Sequence, residues 1–119
     1  MEQLTIIDLH QYSETAEGKY TNIPLNLIND HICRLSVMTH SYFWHYHPNS
    51  DESFLVLEGI LVIDLQDQIV ELHAGQLFTV PKNVPHKTRP KGARSVNLTF
   101  ELTDMQTCEI NDIDQANGV

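Results

Sequence analysis

The stretch Trp44-His45-Tyr46-His47-Pro48-Asn49-Ser50-Asp51-Glu52-Ser53-Phe54 decides how this chain is read. Residues two apart on a strand share a face, so His45 and His47 point the same way with Cα atoms about 7 Å apart. Two imidazoles at that spacing can converge on one ion at about 2.1 Å each. Pro48-Asn49-Ser50-Asp51 is a run of turn formers, and Glu52 follows it at the head of a strand able to fold back beside the histidines. That face of the second strand also carries Phe54 and Val56, an apolar wall beside a carboxylate and candidates for touching a substrate. Far along the chain, His86 follows Pro85 at another strand entrance, where rigid backbone can hold a ligand in place. Three imidazoles and one carboxylate favour a borderline transition ion over Mg²⁺ or Ca²⁺, which prefer oxygen. His45, His47, Glu52 and His86 are therefore the candidate ligands of one divalent transition metal ion per subunit, whether Fe, Mn, Zn, Ni or Cu.

Outward from this stretch the hydrophobic period is two. Cys33, Leu35 and Val37 alternate with Arg34 and Ser36, and Val96, Leu98, Phe100 and Leu102 with Asn97, Thr99 and Glu101. Residues 4–9 read as a short strand and 41–47 as an aromatic one. Apolar runs at 54–57, 60–65, 69–73 and 77–80 read as further strands separated by turns, and residues 81–90 as a loop-rich stretch bounded by prolines. No window carries a convincing helical stripe. Roughly seven to nine strands at spacings of about 8–12 residues indicate an all-β sandwich or barrel. Tyr42, Trp44 and Tyr46 alternate with the histidines and are expected to face outward, against a second sheet or subunit. His10, His31, His40 and His73 are read as surface or hydrogen-bonded histidines, since nothing selects them. The polar tail from Thr103 is expected to fray or to cross to a partner.

Two motifs now stand in order. His45-x-His47-x₄-Glu52-x₆-Gly59 resembles the first cupin motif in every fixed position, and Gly75-x₅-Pro81-x₄-His86 resembles the second, with the usual 15-residue gap between them. Asn83 stands where the second motif usually has Gly, and Pro90 where it often has Asn. Asn accepts a positive φ more readily than most residues, so the turn is expected to survive. The resemblance implies a cupin-type double-stranded β-helix, a jelly-roll barrel of two antiparallel sheets with the metal inside its mouth. It implies a single cupin domain over residues 1–119: barrel motifs at 41–102, an N-terminal arm at 1–23 and a polar tail at 103–119. It also implies a homodimer, with N-terminal residues such as Ile6 and Ile7 crossing over.

Composition limits the partners. With 119 residues, 41% hydrophobic and 19% charged, the chain is an ordinary globular domain. A formal charge of −9 repels phosphate backbones and argues against nucleic acid. No apolar run is long enough to span a bilayer, no signal peptide is visible at Met1-Glu2-Gln3-Leu4, and Cys33 and Cys108 form no CxxC, so a reduced cytoplasmic protein is expected. Lys82, Lys87, Arg89, Lys91 and Arg94 fall within thirteen residues with no acid among them, while the rest of the chain holds Lys19, Arg34 and all sixteen acids. Because His86 lies inside this cluster, Lys82 and Arg89, together with Arg34, are candidates for guiding an anion toward the metal. Lys87 alternates to the side opposite His86. The resulting expectation is a metal-dependent enzyme, of dioxygenase or isomerase type, acting on a small anionic metabolite. The alternative from another class is a non-catalytic small-ligand-binding or sensor module.

Overall fold

A computed structural model describes residues 4–111. One short helix, α1 (Leu9–Thr15), precedes eight strands: β1 (Tyr20–Ile28), β2 (His31–Met38), β3 (His45–Tyr46), β4 (Glu52–Leu65), β5 (Ile69–His73), β6 (Leu77–Val80), β7 (His86–Leu102) and β8 (Cys108–Glu109). The strands join in one antiparallel sheet, ordered β1-β2-β7-β3-β8, with β4 running from β7 to both β5 and β6. This curled sheet is the all-β double-stranded β-helix expected from the sequence.

Two long strands organise it. β4 merges the two apolar runs at 54–57 and 60–65, while residues 81–85 stay irregular and β7 takes in 86–90 of the stretch read as a loop as well as the alternating strand after it. They pair from Ser53↔Phe100 to Leu65↔His86. Where they cross, β7 takes five steps from Lys91 to Val96 while β4 takes two from Ile60 to Glu58. Gly59 sits at this crossing with φ 74°, and a Cβ there would collide with the Arg94 carbonyl oxygen. The crossing demands glycine both for conformation and for space. Asn83 takes φ 69°, as its place in the second motif anticipated.

The core is double. Met38, Phe54, Val56, Leu61, Ile63, Leu72 and Val80 pack together, with Tyr42 and Phe78 against them. Leu25, Cys33, Leu35, Val37, Val96 and Leu98 form a second cluster, covered by Ile7, Leu9 and Ala16 from the N-terminal segment. Burying these side chains contributes about 1.5–3 kcal/mol each, so most of the barrel's stabilisation comes from apolar packing rather than from the polar site.

Three sequence expectations are corrected. Residues 4–9 form no strand. Asp8 instead caps α1, its carboxylate accepting from the backbone N–H of His10 and Gln11 at 3.1 and 3.4 Å, and Leu9 packs on the second cluster. Residues 41–44 are irregular, so strict alternation fails there and Tyr42 turns inward. The tail does not fray as far as residue 111. Its β8 pairs with β3, Ile110 N–H donates to Trp44 O, and Asn49 accepts from Gln106 N–H and donates to Asp104 O. Residues 112–119 of that expectation lie outside the described residues.

Candidate metal centre

β3, the head of β4 and the head of β7 converge. Pairing of His45 with His86 across β3 and β7 sets their rings 4.2 Å apart, and the turn at 48–51 returns Glu52 beside His47. One donor atom from each of His45, His47, Glu52 and His86 lies within 4.8 Å of all the others, and all four residues are buried. His47 Nε2 is 3.1 Å and His86 Nε2 3.3 Å from Glu52 Oε1.

The outer ring nitrogens fix the chemistry of the inner ones. Nδ1 of His45 lies 2.7 Å from Phe43 O, that of His47 2.9 Å from Gln106 O, and that of His86 2.9 Å from Val84 O. A carbonyl only accepts, so each Nδ1 carries hydrogen, and the neutral ring turns its Nε2 lone pair toward the cluster. Backbone carbonyls behind metal-ligating histidines orient the ring and raise its basicity. With three Nε2 atoms and a carboxylate oxygen facing one another, a cation must stand between them, either a proton on an Nε2 that donates to Glu52 or a metal ion. The residues therefore fit a divalent transition ion.

The protonation states agree with this arrangement. Burial, helped by the neighbouring His86, lowers the His45 pKa to about 4, which keeps the ring neutral. Burial also disfavours the charged form of His47, but the hydrogen bond and charge of Glu52 outweigh it and the net shift is upward. Glu52 is pushed up by burial and pulled down harder by His47 and His86, to about 2. In the absence of metal a proton shared with His47 balances the carboxylate, and an ion would replace that proton.

His45, His47 and Glu52 of this cluster line a cavity of about 280 Å³, with His86 fully buried behind them. Residues 33–100 match the Cupin_2 family model, the cupin domain, across all four candidate ligands. The chain belongs to the cupin family. The Bacillus subtilis (strain 168) protein YdbB, itself uncharacterised, is 42% identical to this cupin over 95 residues, 79% of this chain and 83% of that protein. A Streptomyces cyaneus protein named polyketide synthase CurC is 34% identical over 61 residues, 51% of this chain but only 40% of its own length. The solved cupin-2 domain protein of Shewanella frigidimarina NCIMB 400 superposes with a TM-score of 0.76 and 28% identity, covering 82% of this chain and 94% of that one.

Other sequence-derived candidates separate in the cupin barrel. Phe54 and Arg34 line the cavity, whereas Val56 is fully buried in the core beside it. Lys82 is exposed and absent from the cavity wall. Arg89 is also absent from it, bonded instead to Asp64 through Nε at 2.9 Å and Nη2 at 3.1 Å. The reason is alternation. Arg89 is two residues from Lys87 and shares its side, while Thr88 turns inward with His86. Lys91 pairs with Glu71 and Arg94 with Glu58, so most of the basic cluster is engaged in surface ion pairs rather than aimed at the metal. His10, His31, His40 and His73 are all exposed, as expected.

The sequence reading missed two groups of residues. Gln106 and Thr107, from the tail, close over His47. Asn97, Thr99 and Glu101 face the cavity from β7, opposite the Ser36–Arg34 end of β2. Arg34 Nε lies 3.2 Å from Glu101 Oε2, a charge contact without hydrogen-bond alignment. Burial first, and then the charge of Glu52, push the Glu101 carboxyl up to about 7, against the opposing pull of Thr99, Arg34 and His47. Parity with Arg34 was the available signal, since whichever face of the β2–β7 pair carries Arg34 also carries Thr99.

Proposed function

We propose that this cupin is a metal-dependent enzyme that takes a small, oxygen-bearing metabolite onto one divalent transition ion held by His45, His47, Glu52 and His86. The observation that carries this reading is the convergence of three Nε2 atoms, each oriented by a backbone carbonyl behind its ring, and one carboxylate beside a cavity. When bound, such an ion acts as a Lewis acid toward a carbonyl or hydroxyl oxygen of the ligand, and as Fe(II) it suits dioxygenase chemistry. Phe54 and Tyr42 supply an apolar wall that limits water, and Arg34 is the only cationic side chain lining the cavity among the described residues. With Arg34 already beside Glu101, the site accommodates one anionic group, which belongs on the ion. Glu52 is committed to the ligand set. Among the described residues Glu101 is the other carboxyl lining the cavity, and it is the group we assign to exchange a proton with the ligand.

Two free cysteines, Cys33 and Cys108, suit a reducing cytoplasm, and no helix among the described residues is long and apolar enough to cross a membrane. The edge strand β1 exposes Leu27 and Ile28, a surface suited to the homodimer that the family resemblance implies.

The experiment is a turnover screen. Metal-free protein is loaded separately with Fe(II), Mn(II), Zn(II) and Ni(II), then offered a panel of hydroxycarbonyl metabolites with dioxygen uptake and NMR as readouts. Consumption of dioxygen only with Fe(II) selects the oxygenase. Conversion without dioxygen selects the isomerase. Metabolite binding with no conversion by any loaded form would replace the enzyme with a binding module.

A further inference from the structure

Three residues of β7 form a row. Asn97, Thr99 and Glu101 are alternate positions on one strand, so their side chains rise from one face at intervals of about 7 Å. All three line the cavity, and they are only 1%, 4% and 2% exposed. Among the described residues no hydrogen bond of good geometry reaches Asn97 Oδ1, Thr99 Oγ1 or either Glu101 carboxylate oxygen, although Thr99 and Arg34 both lie close enough to Glu101 to favour its charged form. Buried polar atoms are paired in the great majority of cases, and leaving one unpaired is costly. Four atoms without a well-formed hydrogen bond in one row, beside a cluster whose histidines are each anchored to a carbonyl, leave hydrogen-bonding capacity for something else to take up.

The chemistry of the row selects its occupant. Asn97 Nδ2 is taken by Leu98 O at 3.3 Å, which leaves the amide oxygen as the free atom. Carboxylate oxygens accept, and the Thr99 hydroxyl both accepts and donates. The occupant must bring hydrogens. A cation is disfavoured because the Arg34 guanidinium already lies 3.2 Å from Glu101. A hydroxyl donates to Asn97 or Glu101 and accepts from Thr99 through the same oxygen, which an amide N–H cannot do.

We propose that Asn97, Thr99 and Glu101 form a hydroxyl-binding subsite, so that the ligand held at the metal end of the cavity is a small polyhydroxylated molecule. This rests on the reading of His45, His47, Glu52 and His86 as the metal site, and the test keeps the two apart. Zinc-loaded protein is titrated calorimetrically with 2-hydroxybutyrate, glycerate, threonate and gluconate, α-hydroxy acids that share one chelating end and differ in the number and reach of further hydroxyls.

At least one of the three hydroxylated acids is expected to bind about tenfold more tightly than 2-hydroxybutyrate. That preference, taken as the ratio to 2-hydroxybutyrate measured on the same variant, should shrink to about twofold or less in Thr99→Val and Glu101→Gln. In thermal unfolding of the metal-free protein, Thr99→Val should melt at the same temperature as the parent or higher, since it removes a buried hydroxyl that has no well-formed hydrogen bond. Equal binding of all four acids, a preference that survives both substitutions, or a fall of several degrees in the Thr99→Val melting temperature would overturn the subsite. Failure of zinc itself to bind would instead overturn the metal reading.

Discussion

Glu52 and Glu101 are both buried and both line one cavity, and the register Ser53↔Phe100, Phe54↔Thr99, continued one step, sets them across from each other on β4 and β7. Yet one is held at about 2 and the other at about 7. Burial raises both, so the difference comes from partners. Glu52 receives two imidazoles at 3.1 and 3.3 Å. Glu101 receives an unaligned guanidinium on one side and the charge of Glu52 on the other. Two carboxyls whose surroundings separate their pKa values in this way are suited to different tasks. On the proposed function, the first would serve as a permanent anion for a cation and the second as a group that gains or loses a proton near neutrality.

That contrast can be broken from the metal side first. His86→Ala should weaken zinc binding more than about 100-fold, because losing a ligand costs more than losing its outer partner. Competitive titration against a chromogenic chelator measures it, and a loss below tenfold would separate the cluster from metal binding. Glu52→Gln comes next. In metal-free protein at pH 7 it strands His47 in a buried pocket and should cost about 3–5 kcal/mol in urea unfolding. The ordinary carboxyl value is 4.5 and the folded one about 2, so the stability that Glu52 supplies is complete above pH 4.5 and lost as pH falls toward 2. The difference between parent and variant should vanish over that same window.

Glu101→Gln should behave oppositely. The folded carboxyl keeps its proton up to about pH 7, whereas the unfolded chain releases it near 4.5. The folded state of the parent therefore loses stability as pH rises between those values. The variant should match the parent near pH 4.5 and exceed it above pH 7 by at most about 3 kcal/mol. A variant less stable than the parent at pH 8 would place Glu101 among the structural carboxylates. The smallest effect is expected at Arg89→Ala. Its ion pair with Asp64 is partly exposed, so stability should change by less than about 1 kcal/mol and zinc or hydroxy-acid binding not at all. A loss of ligand affinity there would restore the basic stretch as an anion guide.

The difference between the two glutamates also explains what could be read in advance. Glu52 belongs to a spaced motif with two histidines, and the requirement for convergent donors is visible in the spacing itself. Glu101 belongs to an alternating strand, where period two shows that two faces differ but not which one meets the cavity. On β7 the apolar face, Val96 and Leu98, is buried under the N-terminal segment, and the polar face looks into the barrel. The inward parity also changes along the strand, from His86 and Thr88 to Asn97, Thr99 and Glu101, because β7 takes extra residues at the crossing beside Gly59. Such a shift depends on the partner strand and leaves no local mark. The tail escaped for a related reason. Gln106 holds His47 through a backbone carbonyl, an atom every residue carries. The helix α1 did leave a mark, the Asp8 cap, but seven residues are too few to display a helical period.

The claim on which all of this depends is that the four buried side chains hold one ion. Elemental analysis of protein purified without chelator or histidine tag, run beside folded His86→Ala prepared identically, tests it most directly. Close to one equivalent of Fe, Mn, Zn, Ni or Cu per chain in the parent, and almost none in the variant, is the expected result. A folded parent that carries no transition metal and takes none up on dialysis against each of these ions, or a variant that retains a full equivalent, would contradict it.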